Sequence, residues 1–311
     1  MTATETKKQK VINALISGAL LILTIMIALS LSKEMSVYVI EGMSIAVNCV
    51  IPSSFPFMII SDFYTHYGHP ENIPFLGVVF SRALGIPKSA IGAFICGNIG
   101  GFPIGSKMIT DLYAQGAIDK QSAERLIPLS SNPSFAFILG AVGLGLYSDF
   151  KIGIILLLST YTSCIACAFI TKSATHISNY SNKNIRQKYN FVSSVKNSGA
   201  NSVALISFIS IFSVVIGLVK KHIKSIWISY PIIMLCEVTN AVKIFSDNSV
   251  FSTSSSLFLS GFSLGFGGIS VMLQSSIFAK ENGISMKKYF FLKLLQGLLC
   301  GTISSVSLLV I

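Results

Sequence analysis

Residues 97–107 read GNIGGFPIGSK, and the Gly-Ser-Lys that ends this stretch raises the question of whether it binds a phosphate. A Walker A loop has two glycines separated by four residues, followed by Lys and then by Ser or Thr. Gly100 and Gly105 have the required spacing, but Ser106-Lys107 stand in the reverse order. The stretch also lacks a preceding strand pattern, and the sequence offers no Walker B candidate. The sequence therefore argues against ATP hydrolysis.

The same stretch predicts a membrane helix that is broken. Its four glycines and Pro103 fall within nine residues, so a regular helix cannot continue through it. A new helix from about Pro103 would present free N–H groups and the positive end of its dipole to an anion. Lys107, one turn into that helix, would add a full positive charge. The glycines would also permit close helix packing, but Pro103 and Asn98 favour the break.

Matching landmarks in the two halves of the chain indicate an internal duplication. Gly100-Gly101 precedes Gly267-Gly268 by 167 residues, and Gly116 precedes Gly283 by the same 167 residues. Glycine-rich membrane sequences also give such matches by chance, but transporters are often built from internal repeats. We therefore divide the chain into an N-terminal transmembrane helix (1–35), a first repeat (36–172), a polar cytoplasmic loop (173–196) and a second repeat (197–311).

The second half repeats the broken-helix pattern. Its break is predicted at Gly265–Ser270, with Gln274 in the place that Lys107 has in the first half. Paired interruptions at corresponding positions of two halves are the best sequence pointer to the binding site of a transporter.

Polar residues inside apolar segments mark the predicted walls of that site. Glu237, Thr239 and Asn240 interrupt the apolar segment 226–245. A charge at the centre of a membrane helix costs about 2.5 to 3.5 kcal/mol, so we expect it to face a cavity or a partner. Asn132 lies in another polar break, where a plain turn that caps the following segment is an equally good explanation.

Together these features define a predicted substrate site of fifteen residues, which are Asn98, Gly100, Gly101, Pro103, Gly105, Ser106, Lys107, Asn132, Glu237, Thr239, Asn240, Gly267, Gly268, Ser270 and Gln274. The sequence shows no nucleophile–base constellation and no cluster of metal ligands. We therefore expect a protein that is not an enzyme and that needs no cofactor or metal.

The elements that must position these residues are helical. Amphipathic helices are predicted at Ser106–Gln115 and Asp119–Ile127, with Arg125 on a solvated face of the second. Phe135–Tyr147 and Lys151–Ile170 are predicted as a hairpin of two membrane spans. The segment Ile226–Phe245 is treated as one apolar helix that carries polar residues.

The composition indicates an integral membrane protein embedded in a lipid bilayer. The chain has 311 residues, of which 52% are hydrophobic and 11% charged, and its mean hydropathy is +0.71. Soluble domains carry roughly 25% charged residues. Uncharged runs such as Val11–Leu31 are long enough to span a bilayer. The six cysteines lie in apolar stretches and are interpreted as small packing residues.

We attribute the net charge of +11 to basic residues that orient the protein in the membrane, and not to a surface that binds nucleic acid. Lys7, Lys8 and Lys10 precede the first span, and the loop 173–196 is basic. Because basic loops stay on the cytoplasmic side, we expect a cytoplasmic N-terminus. Lys220 and Lys221 follow one span later and conflict with this rule, so the topology after residue 200 stays open.

Several motifs resemble a known family. The block Cys96–Lys107, its continuation through Asp111-Leu112-Tyr113, and the pieces Glu237–Asn240 and Gly267–Val271 are similar to the sporulation integral membrane protein (YlbJ/SpoVV) family. That family lies within the nucleoside-recognition, or Gate-domain, superfamily. The similarity runs from about residue 40 to 300, and the Gly-Pro-Gly-Ser-Lys block is its most specific part.

This resemblance implies an all-α polytopic membrane protein with two inverted repeats and re-entrant or broken helices, related to the concentrative nucleoside transporters. It also implies secondary-type transport of a small anionic heterocycle, dipicolinate, during sporulation, with H⁺ or Na⁺ as a possible coupling ion. The implied location is the bacterial cytoplasmic membrane or the outer forespore membrane. A non-transporting scaffold for the spore envelope and a nucleoside transporter or channel are the alternatives.

Overall fold

The computed structural model describes residues 29–67, 80–172, 189–247 and 251–307, together with the pairs 17–18, 21–22 and 25–26. Throughout this part of the chain the regular structure is helical and no strand occurs, which confirms the predicted all-α class. Most of the predicted first span and of the loop 173–196 lies outside the described residues.

The helices follow one another in the order α1 (Ser32–Ile45), α2 (Ile51–Tyr67), α3 (Ile91–Gly100), α4 (Ile104–Ala114), α5 (Lys120–Leu129), α6 (Phe137–Leu146), α7 (Phe150–Ile170), α8 (Phe191–His222), α9 (Ile226–Cys236), α10 (Val238–Phe245), α11 (Thr253–Phe266), α12 (Gly268–Glu281) and α13 (Lys287–Ser307). A π-helical turn, Ala46–Val50, joins α1 to α2, and a 3₁₀ turn, Lys88–Ala90, precedes α3. The hydrogen bonds of α6 also have the wide π spacing.

Four helical stretches of the described chain are long and apolar enough to cross a bilayer, namely α7, α8, α11 together with α12, and α13. A fifth results if α1 and α2 are counted as one span, which bends by 57°. The predicted polytopic membrane character is confirmed. Helix α6 has only ten residues and is too short to cross a bilayer by itself. The prediction of a full span at Phe135–Tyr147 is therefore wrong.

Close packing of α11 against α13 depends on glycines, which are spaced four residues apart within each of these two helices. A Cβ added at Gly301 of α13 would lie 2.7 Å from the carbonyl oxygen of Phe258 in α11. A Cβ added at Gly265 of α11 would lie 2.9 Å from the carbonyl oxygen of Gln296. Such small-residue stripes let two backbones approach where lipid offers no hydrophobic driving force. They fix α11 against α13 across the second half of the protein.

Except for Gly100, which is the last residue of α3, the glycine landmarks at the spacing of 167 residues have positive φ and lie at the junction of two helices. Gly101 (φ 88°) joins α3 to α4, and Gly268 (φ 86°) starts α12 after α11. Gly116 (φ 72°) joins α4 to α5, and Gly283 (φ 67°) joins α12 to α13. In each half, three consecutive helices are thus separated by two glycine junctions with positive φ. The boundaries of the two repeats remain a prediction.

Two predictions about local structure are wrong. The segment Ile226–Phe245 is not one helix, because it breaks at Glu237 between α9 and α10. Arg125 does not lie on a solvated face, since only 8% of it is exposed. Its guanidinium donates to the carbonyl oxygens of Leu84 (2.6 Å), Gly85 (3.0 Å) and Ala168 (2.6 Å). These carbonyls lie at or near helix C-termini, where a buried cation can satisfy groups that have no partner within the helix.

Candidate functional site

The first predicted break is present, at the end of α3. Gly101 has a φ of 88°, and α4 begins at Ile104, directly after Pro103. A Cβ added at Gly101 would lie 2.8 Å from the backbone nitrogen of Ser134. Glycine therefore serves two purposes here, because it permits the left-handed turn and lets the break touch the turn 130–134.

The second predicted break is also present, between α11 and α12. Gly267 and Gly268 have φ values of 82° and 86°. A Cβ added at Gly268 would lie 2.9 Å from the carbonyl oxygen of Cys236, so this break packs against the junction of α9 and α10. A Cβ added at Gly267 would lie 3.7 Å from the ring of Phe102, which belongs to the first break. The two breaks therefore meet, and Phe102 lies between them.

Glu237 forms a third break that contains neither glycine nor proline at its centre. Its carboxylate accepts hydrogen bonds from the backbone N–H groups of Thr239 (2.9 Å) and Asn240 (2.8 Å), and from the side-chain amide of Asn240 (3.0 Å). It is therefore the N-cap of α10 and is stabilised by the positive end of that helix. This local role accounts for a carboxylate that is only 2% exposed.

A small cavity lies beside the first break and the start of α10. Its volume is about 30 Å³, and four segments of the chain form its walls. The lining residues are Val50, Ser54, Gly100, Gly101, Phe102, Pro133, Ser134, Phe137 and Thr239. Hydroxyl groups and the backbone of the glycine break supply its polar surface. No charged side chain is among these lining residues. Of the predicted site residues, Gly100, Gly101 and Thr239 line the cavity.

Behind the cavity, Asn98 and Asn132 form a buried hydrogen-bonded pair. The amide of Asn132 donates to Oδ1 of Asn98 at 2.6 Å, and the amide of Asn98 donates to the carbonyl oxygen of Phe94 at 2.7 Å. The hydroxyl of Tyr161 donates to the carbonyl oxygens of Asn98 (2.6 Å) and Pro133 (3.1 Å). These bonds fix the first break to the turn 130–134, so the two asparagines hold the walls and do not line the cavity.

Two residues of this network, Lys293 and Gln296 of α13, were missed in the sequence. The ammonium of Lys293 and the amide of Gln296 both donate to Oδ1 of Asn132, at 2.9 and 2.6 Å. Both side chains are fully buried. The sequence feature that could have identified them is a lysine and a glutamine three residues apart in an apolar run, because this spacing places them on one face of a helix.

Lys107 does not reach the cavity. Its ammonium forms ion pairs with Asp62 and, at 2.8 Å, with Asp111. The carboxylate of Asp62 also accepts from the hydroxyl of Ser194 at 2.9 Å. Lys107 thus ties α4 to α2 and α8, and its binding of a substrate stays a prediction.

The remaining predicted residues also have partners within the protein. Ser106 is hydrogen bonded to Ser131 (2.5 Å) and donates to Ser275 of α12 (2.8 Å), which joins the two halves. Gln274 donates to Ser270 at 3.1 Å. Pro103 is the N-cap residue of α4, and a Cβ added at Gly105 would lie 2.6 Å from the carbonyl carbon of Ser130. These residues pack around the cavity without lining it.

Comparison with known proteins gives one relative. The sporulation integral membrane protein YlbJ of Bacillus subtilis (strain 168) is 24% identical over 302 residues, which covers 82% of this chain and 73% of that protein. The chain is therefore similar to the YlbJ family over most of its length. No family model matches the chain, and no solved structure matches it. The name of this relative agrees with the integral-membrane character that the composition and the apolar helices of this chain indicate.

Proposed function

We propose that this protein is a secondary-type membrane carrier for a small anionic heterocycle of the dipicolinate class, acting in sporulation. The observation that carries the proposal is a cavity lined by the first glycine break and by Thr239, which follows the break at Glu237; Gly267 of the second glycine break lies next to Phe102 in the cavity wall. Non-helical backbone at membrane depth is tolerated where it is buried in protein or lines a cavity, and such breaks are where transporters bind their substrates.

The cavity as it stands describes a closed state. Its volume of about 30 Å³ has room for about one water molecule, whereas pockets for organic ligands occupy about 300 Å³ or more. A heterocycle would enter only after the breaks have moved apart. Phe102 lies between them and lines the cavity, so its ring is the natural element to move. This requirement fits a carrier, in which gating elements open around a fixed site.

A nucleoside is the second candidate substrate. The cavity lining carries hydroxyl groups and no charged side chain. A neutral ligand avoids the cost of burying a charge without a partner, whereas an anion would depend on backbone N–H groups and on charges behind the walls.

Uptake into proteoliposomes tests the proposal. Purified protein in liposomes is given labelled dipicolinate or a labelled nucleoside, and protein-free liposomes serve as the control. Saturable uptake that discriminates between the two compounds supports a carrier and identifies its substrate. Uptake that rises linearly with concentration indicates a channel. No uptake of either compound would contradict the proposal and favour a scaffold of the spore envelope.

We also propose that the N-terminus is cytoplasmic and that the membrane is the bacterial cytoplasmic membrane or the outer forespore membrane. The basic residues before the first span support this orientation. Lys221, at the C-terminal end of α8, conflicts with the rule that basic residues stay on the cytoplasmic side. It forms an ion pair with Glu34, which neutralises part of this charge within the protein. Labelling of an introduced N-terminal cysteine with a membrane-impermeant thiol reagent in intact cells would contradict the orientation.

A further inference from the structure

Lys293 is a fully buried cation inside a membrane helix. It lies in α13, which is long and apolar enough to cross a bilayer, and its relative exposure is 0%. A lysine at the centre of such a helix is costly unless it has partners, and its presence by default indicates a functional site.

The partners of Lys293 are three neutral oxygen atoms. Its Nζ donates to the carbonyl oxygen of Ser131 at 2.8 Å, to Oδ1 of Asn132 at 2.9 Å and to Oε1 of Gln296 at 2.9 Å. A protonated lysine has three N–H donors and no acceptor, so each donor has one oxygen. A neutral amine would turn its lone pair toward one of these acceptors. The oxygen cage therefore fits the charged form.

No carboxylate neutralises this charge within the described part of the chain. None of the ion pairs described there includes Lys293. The titratable groups that act on it are the thiols of Cys164 and Cys167 on α7 and of Cys300 on its own helix. A cation held only by carbonyl and amide oxygens has the type of environment that selectivity filters offer to a dehydrated alkali ion.

We infer that the oxygen atoms of Ser131, Asn132 and Gln296 form a monovalent-cation site that the protein fills with its own ammonium group. The chemical class of its free ligand is an ammonium or alkali-metal ion. The cage belongs to the turn whose next residues, Pro133 and Ser134, line the cavity. A tethered charge thus fixes one wall of the cavity without any dissolved Na⁺. The inference concerns this cage alone and stands whether or not the protein is a carrier.

The test removes the Lys293 ammonium group from the cage and measures whether small cations bind in its place. Lys293→Ala leaves the three oxygens without their cation, and Lys293→Met fills the space with an uncharged chain of similar length. Each variant is purified in detergent, and its thermal unfolding midpoint is measured in NaCl, KCl or NH₄Cl and in choline chloride at equal concentration. Ion binding to the folded state raises the midpoint.

We expect the midpoint of Lys293→Ala to be higher in at least one small-cation salt than in choline chloride, by about 3 °C at a concentration tenfold above the dissociation constant. We expect Lys293→Met and the wild type to show no such difference, because their cages are filled. Equal midpoints of Lys293→Ala in all four salts would overturn the inference.

If Lys293→Ala gives no folded protein, Lys293→Ser is measured in its place, because its hydroxyl adds a further oxygen to the cage. Failure of both variants to fold would also overturn the inference, since cytoplasmic potassium would already have been available to fill the site.

Discussion

The ion pair between Lys107 and Asp62 gives the sharpest test of whether Lys107 has a structural role or binds the substrate. Lys107 contacts Asp62 and Asp111, and the exposed fractions of the three side chains are 14%, 9% and 34%. Asp62 also accepts a hydrogen bond from Ser194. If Lys107 has a structural role, its removal damages the fold, and removal of the Asp62 charge together with it repairs the damage. If Lys107 binds substrate, the double variant stays inactive.

The buried geometry sets the magnitude. Removing one partner of a buried ion pair costs about 3 to 5 kcal/mol, because the other charge remains in a low-dielectric environment. The bond to Asp111 contributes about 0.2 to 1 kcal/mol, since that carboxylate is a third exposed. Lys107→Met should therefore lower the thermal midpoint by roughly 6 to 20 °C. Replacing both members of a buried ion pair by uncharged residues often changes the free energy of unfolding little. The double variant Asp62→Asn with Lys107→Met should therefore recover most of that loss.

The assay heats detergent-solubilised protein and measures the fraction that stays monodisperse, followed by uptake of labelled dipicolinate at a temperature where every variant is folded. The account predicts a midpoint of the double variant well above that of Lys107→Met, with uptake recovered. A wild-type midpoint for Lys107→Met alone would refute the structural role. A double variant with wild-type stability and no uptake would return Lys107 to the substrate site.

Three further predictions concern the elements around the cavity, and thermal unfolding measures each of them. Gly105→Ala should cost about 1 to 3 kcal/mol because its methyl group would collide with the backbone of Ser130, whereas Gly199→Ala, with nothing within 4 Å, should be neutral or stabilise by up to about 1 kcal/mol; equal effects of the two would contradict the packing described. Arg125→Ala should cost about 1 to 3 kcal/mol or more, because it leaves buried carbonyl groups without a donor, and an unchanged midpoint would be evidence against that clamp. Glu237→Ala should cost about 0.5 to 2 kcal/mol through loss of the helix cap, and the capping role would be wrong if Glu237→Ala matched the wild type.

The two glycine breaks could be predicted from the sequence because their cause is local. Gly101 and Gly268 need backbone conformations that favour glycine, and Pro103 cannot continue a helix, so the residue types themselves mark the positions. The helix break at Glu237 was not predicted, because the sequence shows only a single glutamate within an apolar segment. Its capping bonds to Thr239 and Asn240 appear only when the backbone is known.

The contacts that the sequence did not reveal share a different cause, which is distance along the chain. Lys107 contacts Asp62, which lies 45 residues away in the sequence, and Arg125 contacts Gly85, which lies 40 residues away. Lys293 finds Asn132 161 residues away. Periodicity and motif spacing describe neighbours within a few turns, so they place a polar residue on a helix without showing which distant helix it meets. For the same reason the cavity walls supplied by Ser54 and Ser134 were not predicted.

Equilibrium binding of labelled dipicolinate to the purified protein tests the central claim most directly. Thr239 lines the cavity, and Thr302 is an exposed residue of α13 that serves as the matched control. The account predicts saturable binding to the wild type, binding about tenfold weaker in Thr239→Val through the loss of one hydrogen bond, and an unchanged curve in Thr302→Val. Absence of saturable binding, or identical curves for all three proteins, would contradict a substrate site between the helix breaks.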